Sequence, residues 1–187
     1  MSEFDSELPE VYLRPGEVHL SREPAILKTL LGSCVGVTFW CQRLGIGALC
    51  HAMLPRLPER ATAGLALAQR WRYVDFCIRD LARQFDVLGA SRSEIEIKMF
   101  GGADVLPVYA TDSSRATVGR LNCQAALDVL RAEGLKLVAS DLGGINGRTI
   151  QFHTATGEVL LRRLARPVFD DEVIDADGKL ARLTGDL

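Results

Sequence analysis

The 187-residue chain is 48% hydrophobic and 25% charged, which is enough apolar material for one domain that buries about 70% of its unfolded surface. Its 22 basic and 24 acidic residues nearly balance, which argues against a face that follows nucleic acid phosphates or an anionic membrane. No apolar run reaches the roughly 18 residues of a membrane span, and the N-terminal residues lack a secretory signal pattern. We therefore expect a single cytoplasmic domain over residues 1–187, without a nucleic acid partner or membrane insertion.

The first third of the chain predicts short strands. Apolar residues alternate in EVYLRPGEVHLS around Pro15 and Gly16, which predicts a hairpin or two short edge strands. Further strands are predicted in PAILKTLLGSC, CVGVTFW and LGIGALCHAML, the last of which ends at Pro55. Because successive side chains of a strand alternate, His51 should lie on the face opposite Cys50.

The rest of the chain predicts two helices and four strands. An amphipathic helix is expected between Gly64 and Leu88, and Gly134 is placed to cap a second helix at its C-terminus. The strands are expected in EIEIKMF, LKLVAS, TIQFHT and EVLLRRL. The apolar stripe of the second helix is predicted at Val118, Leu121, Ala125 and Val129.

Two helices among about eight strands predict a layered α/β (α+β) domain with mixed sheets. The strands and helices do not alternate regularly, so a doubly wound fold is not expected. The weakly patterned, acidic residues 166–187 are expected to form a mobile tail outside a core of about residues 12–165.

Familiar cofactor and metal motifs are missing from the sequence. It has no GxxxxGK[ST] phosphate loop, and Gly45-x-Gly47 does not continue to a third glycine. The five cysteines contain no CxxC pair, and none of the three histidines is spaced four residues from another. We therefore expect reduced thiols, no metal site and no cofactor.

A thiol and an imidazole are the remaining candidates for chemistry. Cys34 follows a Gly-Ser turn, and His51 comes 17 residues later, after an outgoing and a returning strand. An adjacent imidazole would stabilise the Cys34 thiolate, and the backbone N–H groups of the turn could hold an oxyanion. Spacing alone favours the structural alternative, in which a core cysteine and a hydrogen-bonded histidine lie inside the sheet.

The wider motif pattern favours the catalytic interpretation. TLLGSCVGV, GALCHAMLP, KMFGGADVL, VGRLNCQAALDVLRAEG and DLGGINGR occur in this order, and the series resembles the CheD family of chemoreceptor glutamine deamidases. The resemblance covers about residues 12–165. It implies a cysteine-hydrolase fold that is shared with glutamine-deamidating bacterial toxins and has a Cys-His-Thr triad.

The resemblance also implies a role for each matching residue. Cys34 matches the nucleophile, His51 the general base and Thr29 the threonine of the triad, while the backbone amides of Ser33 and Cys34 would hold the oxyanion. An ungapped count would instead place Lys28 at the threonine position. A lysine could not accept the imidazole N–H, because its ammonium group has only donors.

A member of this family would convert glutamines of chemoreceptor cytoplasmic domains to glutamate through a Cys thioester and release ammonia. A CheC-type phosphatase is a further partner that the resemblance implies. Two alternatives remain open: a cysteine peptidase or thiol transferase that uses the same dyad, and a catalytically idle adaptor that docks on receptors or on a phosphatase.

Overall fold

The computed structural model describes residues 8–61, 64–104, 117–165, 172–174 and 180–182. Most of the tail after Arg166, whose mobility was predicted, lies outside these residues. Within the tail, two three-residue strands pair antiparallel with each other, a pairing that the sequence patterns did not predict.

The described chain contains eleven strands and three α-helices. The helices are α1 (Leu67–Arg70), α2 (Val74–Val87) and α3 (Val118–Ala132). The strands are β1 (Glu10–Tyr12), β2 (Val18–Ser21), β3 (Ile26–Leu31), β4 (Val35–Cys41), β5 (Ile46–Ala52), β6 (Glu96–Gly101), β7 (Lys136–Leu142), β8 (Arg148–His153), β9 (Val159–Arg163), β10 (Glu172–Ile174) and β11 (Leu180–Arg182).

Two mixed sheets carry most of these strands. One has four strands in the order β1-β3-β8-β9, and the other has five in the order β2-β5-β4-β6-β7. In the first sheet β1 and β3 are parallel, as are β6 and β7 in the second, and the other neighbours are antiparallel. The chain passes from the four-stranded sheet to the five-stranded one at the short connection between β3 and β4.

The five-stranded sheet is the middle layer of three. Its face toward α2 and α3 supplies alternate residues of β4 and β5 to a core that includes Val37, Phe39 and Cys50. Its other face packs against the four-stranded sheet around Leu27, Leu49 and other apolar residues. The alternation of side chains along a strand thus feeds two separate cores, which confirms the predicted layered fold with two main helices.

Three details differ from the predicted elements. β1 and β2 do not form a hairpin, because β1 pairs with β3 and β2 pairs with β5, so the alternative of two edge strands is correct. The first long helix is interrupted near Trp71, where α1 ends before α2 begins. In α3, Val118 and Leu121 are exposed, and the predicted apolar stripe is wrong at both positions.

The buried stripe of α3 keeps the predicted Ala125 and Val129, but in the first turns it lies one position further along the chain, at Gly119 and Asn122. It contains Gly119, Asn122, Ala125, Ala126, Val129 and Leu130, at helical spacings of three and four residues. Gly134 ends the helix in the left-handed conformation with φ 65°, as its cap position predicted. None of the helices in the described part of the chain is long and apolar enough to cross a membrane.

Candidate active site

Cys34 lies at the corner where the chain passes between the two sheets, directly before β4. The corner is held by three consecutive carbonyl groups. The Gly32 carbonyl accepts from the N–H of Ala103 at 2.8 Å, and the Cys34 carbonyl accepts from the N–H of Gly102 at 2.8 Å. Between them, the Ser33 carbonyl accepts from the side-chain amide of Asn122 at 3.0 Å. The nucleophile candidate therefore sits on a fully anchored backbone.

The glycine pair after β6 makes room for this corner. Gly101 has φ 107°, and a Cβ atom at that position would lie 2.1 Å from the Cys34 carbonyl oxygen. Since both the left-handed conformation and the contact exclude a side chain, the GGA turn is required for the close approach of β6 to the corner.

His51 is placed by β5 on the face of the five-stranded sheet that looks toward the other sheet. It pairs with Gly36 of β4, while the neighbouring Cys50 faces the helices. Its N–H donates to the Glu17 carbonyl at 2.9 Å, and its carbonyl accepts from Gly16 at 2.7 Å. The side chain is buried. This confirms the predicted alternation of Cys50 and His51.

Thr29 reaches His51 from the opposite sheet. Its hydroxyl oxygen lies 2.7 Å from Nδ1 of His51 and 2.8 Å from the Leu13 carbonyl oxygen. A carbonyl can only accept, so the hydroxyl proton goes to Leu13 and the hydroxyl oxygen accepts the Nδ1–H. The Nε2 atom of His51 then carries the lone pair, and it is buried without a hydrogen-bond partner among the described residues.

Lys28, the other candidate for the third position, lies on the outer face of β3. Its ammonium group forms an ion pair with Glu10 at 2.5 Å. The structure therefore brings Thr29, and not Lys28, to the histidine.

Cys34 and His51 belong to the same layer between the sheets. Cys34 packs against the inter-sheet core. If the β4–β5 pairing is continued by one residue, the two side chains point to the same face as diagonal neighbours, whose Cα atoms are typically about 7–8 Å apart. Gly36, directly opposite His51, places no side chain between them.

Burial sets the protonation of both groups. It raises the pKa of the Cys34 thiol, and a hydrogen bond from the residue's own N–H lowers that pKa by less. Burial also lowers the pKa of His51, against smaller opposing effects of the Leu13 carbonyl and Glu17. Both shifts favour the neutral thiol and the neutral imidazole over the charged pair, because the loss of solvent outweighs the smaller opposing interactions.

The other cysteines and histidines occupy several places in the fold, and Cys123 borders the glycine turn that holds the Cys34 corner, since a Cβ atom at Gly102 would lie 2.1 Å from its Sγ. Cys41, Cys50 and Cys77 are buried, and Cys123 in α3 is half-buried. His19 is on the edge strand β2, and His153 is buried at the end of β8.

Asn122 is the site neighbour that the sequence patterns did not single out. Its amide nitrogen donates to the Ser33 carbonyl and also to the Met53 carbonyl at 3.0 Å. The available signal was its spacing from Gly119 and Ala126, which places a polar side chain in the buried stripe of α3.

A thiol at a tight, anchored corner and a histidine whose Nδ1 is held by a threonine are elements of a cysteine-dependent hydrolase site. A family model described as CheD chemotactic sensory transduction matches residues 53–163 of the chain. The chain belongs to the CheD family.

Curated relatives match the chain over most of its length. A protein of Geobacter sulfurreducens, named "Probable chemoreceptor glutamine deamidase CheD 2", is 42% identical over 88% of this chain and 96% of its own length. Proteins of Maridesulfovibrio salexigens and Pseudomonas syringae pv. tomato, both named "Probable chemoreceptor glutamine deamidase CheD", are 37% and 36% identical. These two matches cover 90% and 91% of this chain and 100% and 95% of the relatives.

Proposed function

We propose that the chain is a protein-glutamine deamidase that converts glutamines on chemoreceptor cytoplasmic helices to glutamate, with Cys34 as nucleophile, His51 as base and Thr29 as the residue that orients the base. The observation that carries this proposal is the contact of Thr29 with Nδ1 of His51, which leaves the buried Nε2 atom as the basic nitrogen of the ring. The names of the curated relatives support the reaction and the substrate class.

The reaction begins from the neutral pair. Nε2 of His51 takes the thiol proton as the sulfur attacks the carboxamide carbon of a substrate glutamine, which forms a C–S bond and a tetrahedral oxyanion. The backbone N–H groups of Ser33 and Cys34 stabilise that oxyanion. His51 then gives its proton to the departing nitrogen, the C–N bond breaks, and ammonia leaves a thioester on Cys34.

In the second half of the reaction, water takes the place of the thiol as the group that His51 deprotonates. His51 takes a proton from a water molecule, the resulting hydroxide attacks the thioester carbon, and the C–S bond breaks. The released glutamine side chain has become glutamate, and Cys34 recovers its proton from His51. Each modified site gains one negative charge, which can change helix packing in the receptor through local electrostatics.

Intact-mass analysis of a chemoreceptor cytoplasmic domain tests this function. Incubation with the protein should add about 1 Da per modified glutamine, because an acid replaces an amide, and should release an equal amount of ammonia. Fragment spectra locate the modified glutamines, and Cys34→Ala is the control. Peptide cleavage without this mass change would support the peptidase alternative, and binding without any mass change would support the adaptor alternative.

The proposal extends to the setting of the enzyme. It comprises a single deamidase domain over residues 1–187, located in the cytoplasm, where the receptor helices are accessible. A CheC-type phosphatase that competes with the receptor is part of it, supported by the family resemblance alone. Addition of such a phosphatase to the mass assay should slow deamidation.

A further inference from the structure

We infer that Asn122 is a positioning residue that sets the geometry between the Cys34 corner and the strand that carries His51, a role that rests on the function proposed above. Asn122 is 0% exposed, although it is polar. Its two amide hydrogens are divided between two different parts of the site. One goes to the Ser33 carbonyl and the other to the Met53 carbonyl, each at 3.0 Å.

The orientation of this side chain is determined by its partners. Both are carbonyl oxygens, which can only accept, so a flipped amide would place oxygen against oxygen. The remaining atom, Oδ1, is buried without a partner in the described part of the chain. An unpartnered buried oxygen is unfavourable, and an apolar side chain of the same shape would avoid it. The asparagine is therefore explained by its two donors and not by packing.

The bond to Ser33 orients the peptide group between Ser33 and Cys34. The described part of the chain has no cis peptide bond, and in a trans peptide the C=O and the following N–H point in opposite directions. When Asn122 holds the Ser33 carbonyl on its own side, the N–H of Cys34 is turned away from α3. That N–H is one of the two proposed oxyanion donors, so Asn122 orients a donor to which it makes no hydrogen bond of its own.

The bond to Met53 ties the same side chain to the other half of the dyad. Met53 follows β5 two residues after His51, so one amide group spans the nucleophile corner and the end of the base strand. The two neighbouring carbonyls of the corner are held by backbone donors. Of the three bonds, only the one from Asn122 can be removed by exchanging a side chain.

Two small reagents distinguish the orientation of the oxyanion donor from the accessibility of the Cys34 thiol. Acylation by 4-nitrophenyl acetate passes through an oxyanion: the Cys34 sulfur forms a thioester, 4-nitrophenolate leaves, and the thiol proton passes to His51. Alkylation by iodoacetamide displaces iodide at carbon without an oxyanion. The rate of each is measured on the full chain, and the rate of Cys34→Ala is subtracted to remove other nucleophiles.

Asn122→Leu should slow acylation by about 10-fold to 100-fold, because a displaced Cys34 N–H stabilises the oxyanion less well and a small misplacement lowers the rate by such a factor. Its alkylation rate at Cys34 should remain close to that of the wild type. If the leucine variant shows no cooperative melting, Asn122→Ala repeats the test, since it removes the same donors without placing apolar atoms against the carbonyls.

Val129→Ala is the matched control, because Val129 lies in the same buried stripe of α3 and has no contact with the corner among the hydrogen bonds described. It should lower the melting temperature and leave both rates unchanged. Equal acylation by Asn122→Leu and the wild type would overturn the inference while the proposed dyad stands. An equal loss in Val129→Ala would also overturn it. A wild type without Cys34-dependent acylation would instead reject the hydrolase function, and the inference with it.

Discussion

The two faces of the five-stranded sheet place buried polar side chains in different chemical surroundings. On the helix side, Cys50 of β5 packs beside Cys77 of α2, and the Cys77 thiol donates to the Trp71 carbonyl at 2.9 Å. Burial raises the pKa of Cys77 well above its ordinary value, and Cys50 adds to the shift. On the other side, His51, the next residue of the same strand, has a threonine on one ring nitrogen and a free lone pair on the other.

The two places differ in burial, because Cys34 is half-buried whereas Cys50 and Cys77 are fully buried, although burial raises the pKa of Cys34 and of Cys77 alike. The partners of the thiols also differ. On the helix side, the hydrogen-bond partners of the Cys77 thiol are another thiol and a carbonyl, and neither is a base that can take its proton and return it. The inter-sheet side offers an oriented imidazole and a corner of anchored backbone. We conclude that the neighbours of a cysteine, together with its partial exposure, mark the candidate nucleophile.

The largest expected effect comes from replacing Cys34, with the replacement of Cys50 as its comparison. Cys34→Ala should abolish receptor deamidation and the burst of 4-nitrophenolate, because no other group can form the thioester. Cys50→Ala should keep the activity and lose on the order of 1 kcal/mol of stability, since it only removes a core contact. Activity is followed by intact mass and stability by thermal melting. A deamidating Cys34→Ala protein would end the proposed mechanism.

The next effect concerns the base. His51→Ala should lower the rate by about 10²–10⁴-fold, the usual contribution of a general base. His19→Ala is the matched control on the edge strand β2, and it should remain near the wild-type rate. Both variants are compared by single-turnover deamidation. Similar losses in the two histidine variants would place the proton transfer elsewhere.

A smaller effect separates the two faces of β3. Thr29→Val keeps the shape of the side chain and removes the acceptor for Nδ1–H, so His51 loses its preferred tautomer. We expect a decrease in rate of about 10–100-fold, which is typical when an orienting hydrogen bond is lost. Lys28→Ala should remain close to the wild-type rate, because its ion pair with Glu10 lies on the outer face. A larger loss in Lys28→Ala than in Thr29→Val would show that the third member is wrongly placed.

The smallest effect is a shift in pH dependence. Protonated His51 cannot accept the thiol proton, so activity is lost as pH falls through its pKa. Burial lowers that pKa from its ordinary value of 6.5, and the acid limb of the acylation rate should therefore have its midpoint below pH 6.5. A pH series with 4-nitrophenyl acetate measures it. A midpoint at or above the ordinary value would show that burial does not control this group.

Much of the site could be predicted from local patterns. The alternation in β5 separates Cys50 from His51 because a strand has a period of two. Glycine pairs mark turns because other residues are strained there, and Gly134 ends its helix for the same reason. The motif series pointed to Cys34 and His51, and their placement on the same face follows from the register of two adjacent antiparallel strands.

Only the tertiary structure decided the features that depend on distant elements. β3 belongs to the other sheet, so the choice of Thr29 over Lys28 required the packing of two sheets. Asn122 acts across 89 residues of sequence, a separation at which periodicity carries no information. The raised pKa of Cys34 depends on the solvent that the assembled layers exclude. Local sequence determines which way a side chain points along its own strand, and long-range packing determines what it contacts there.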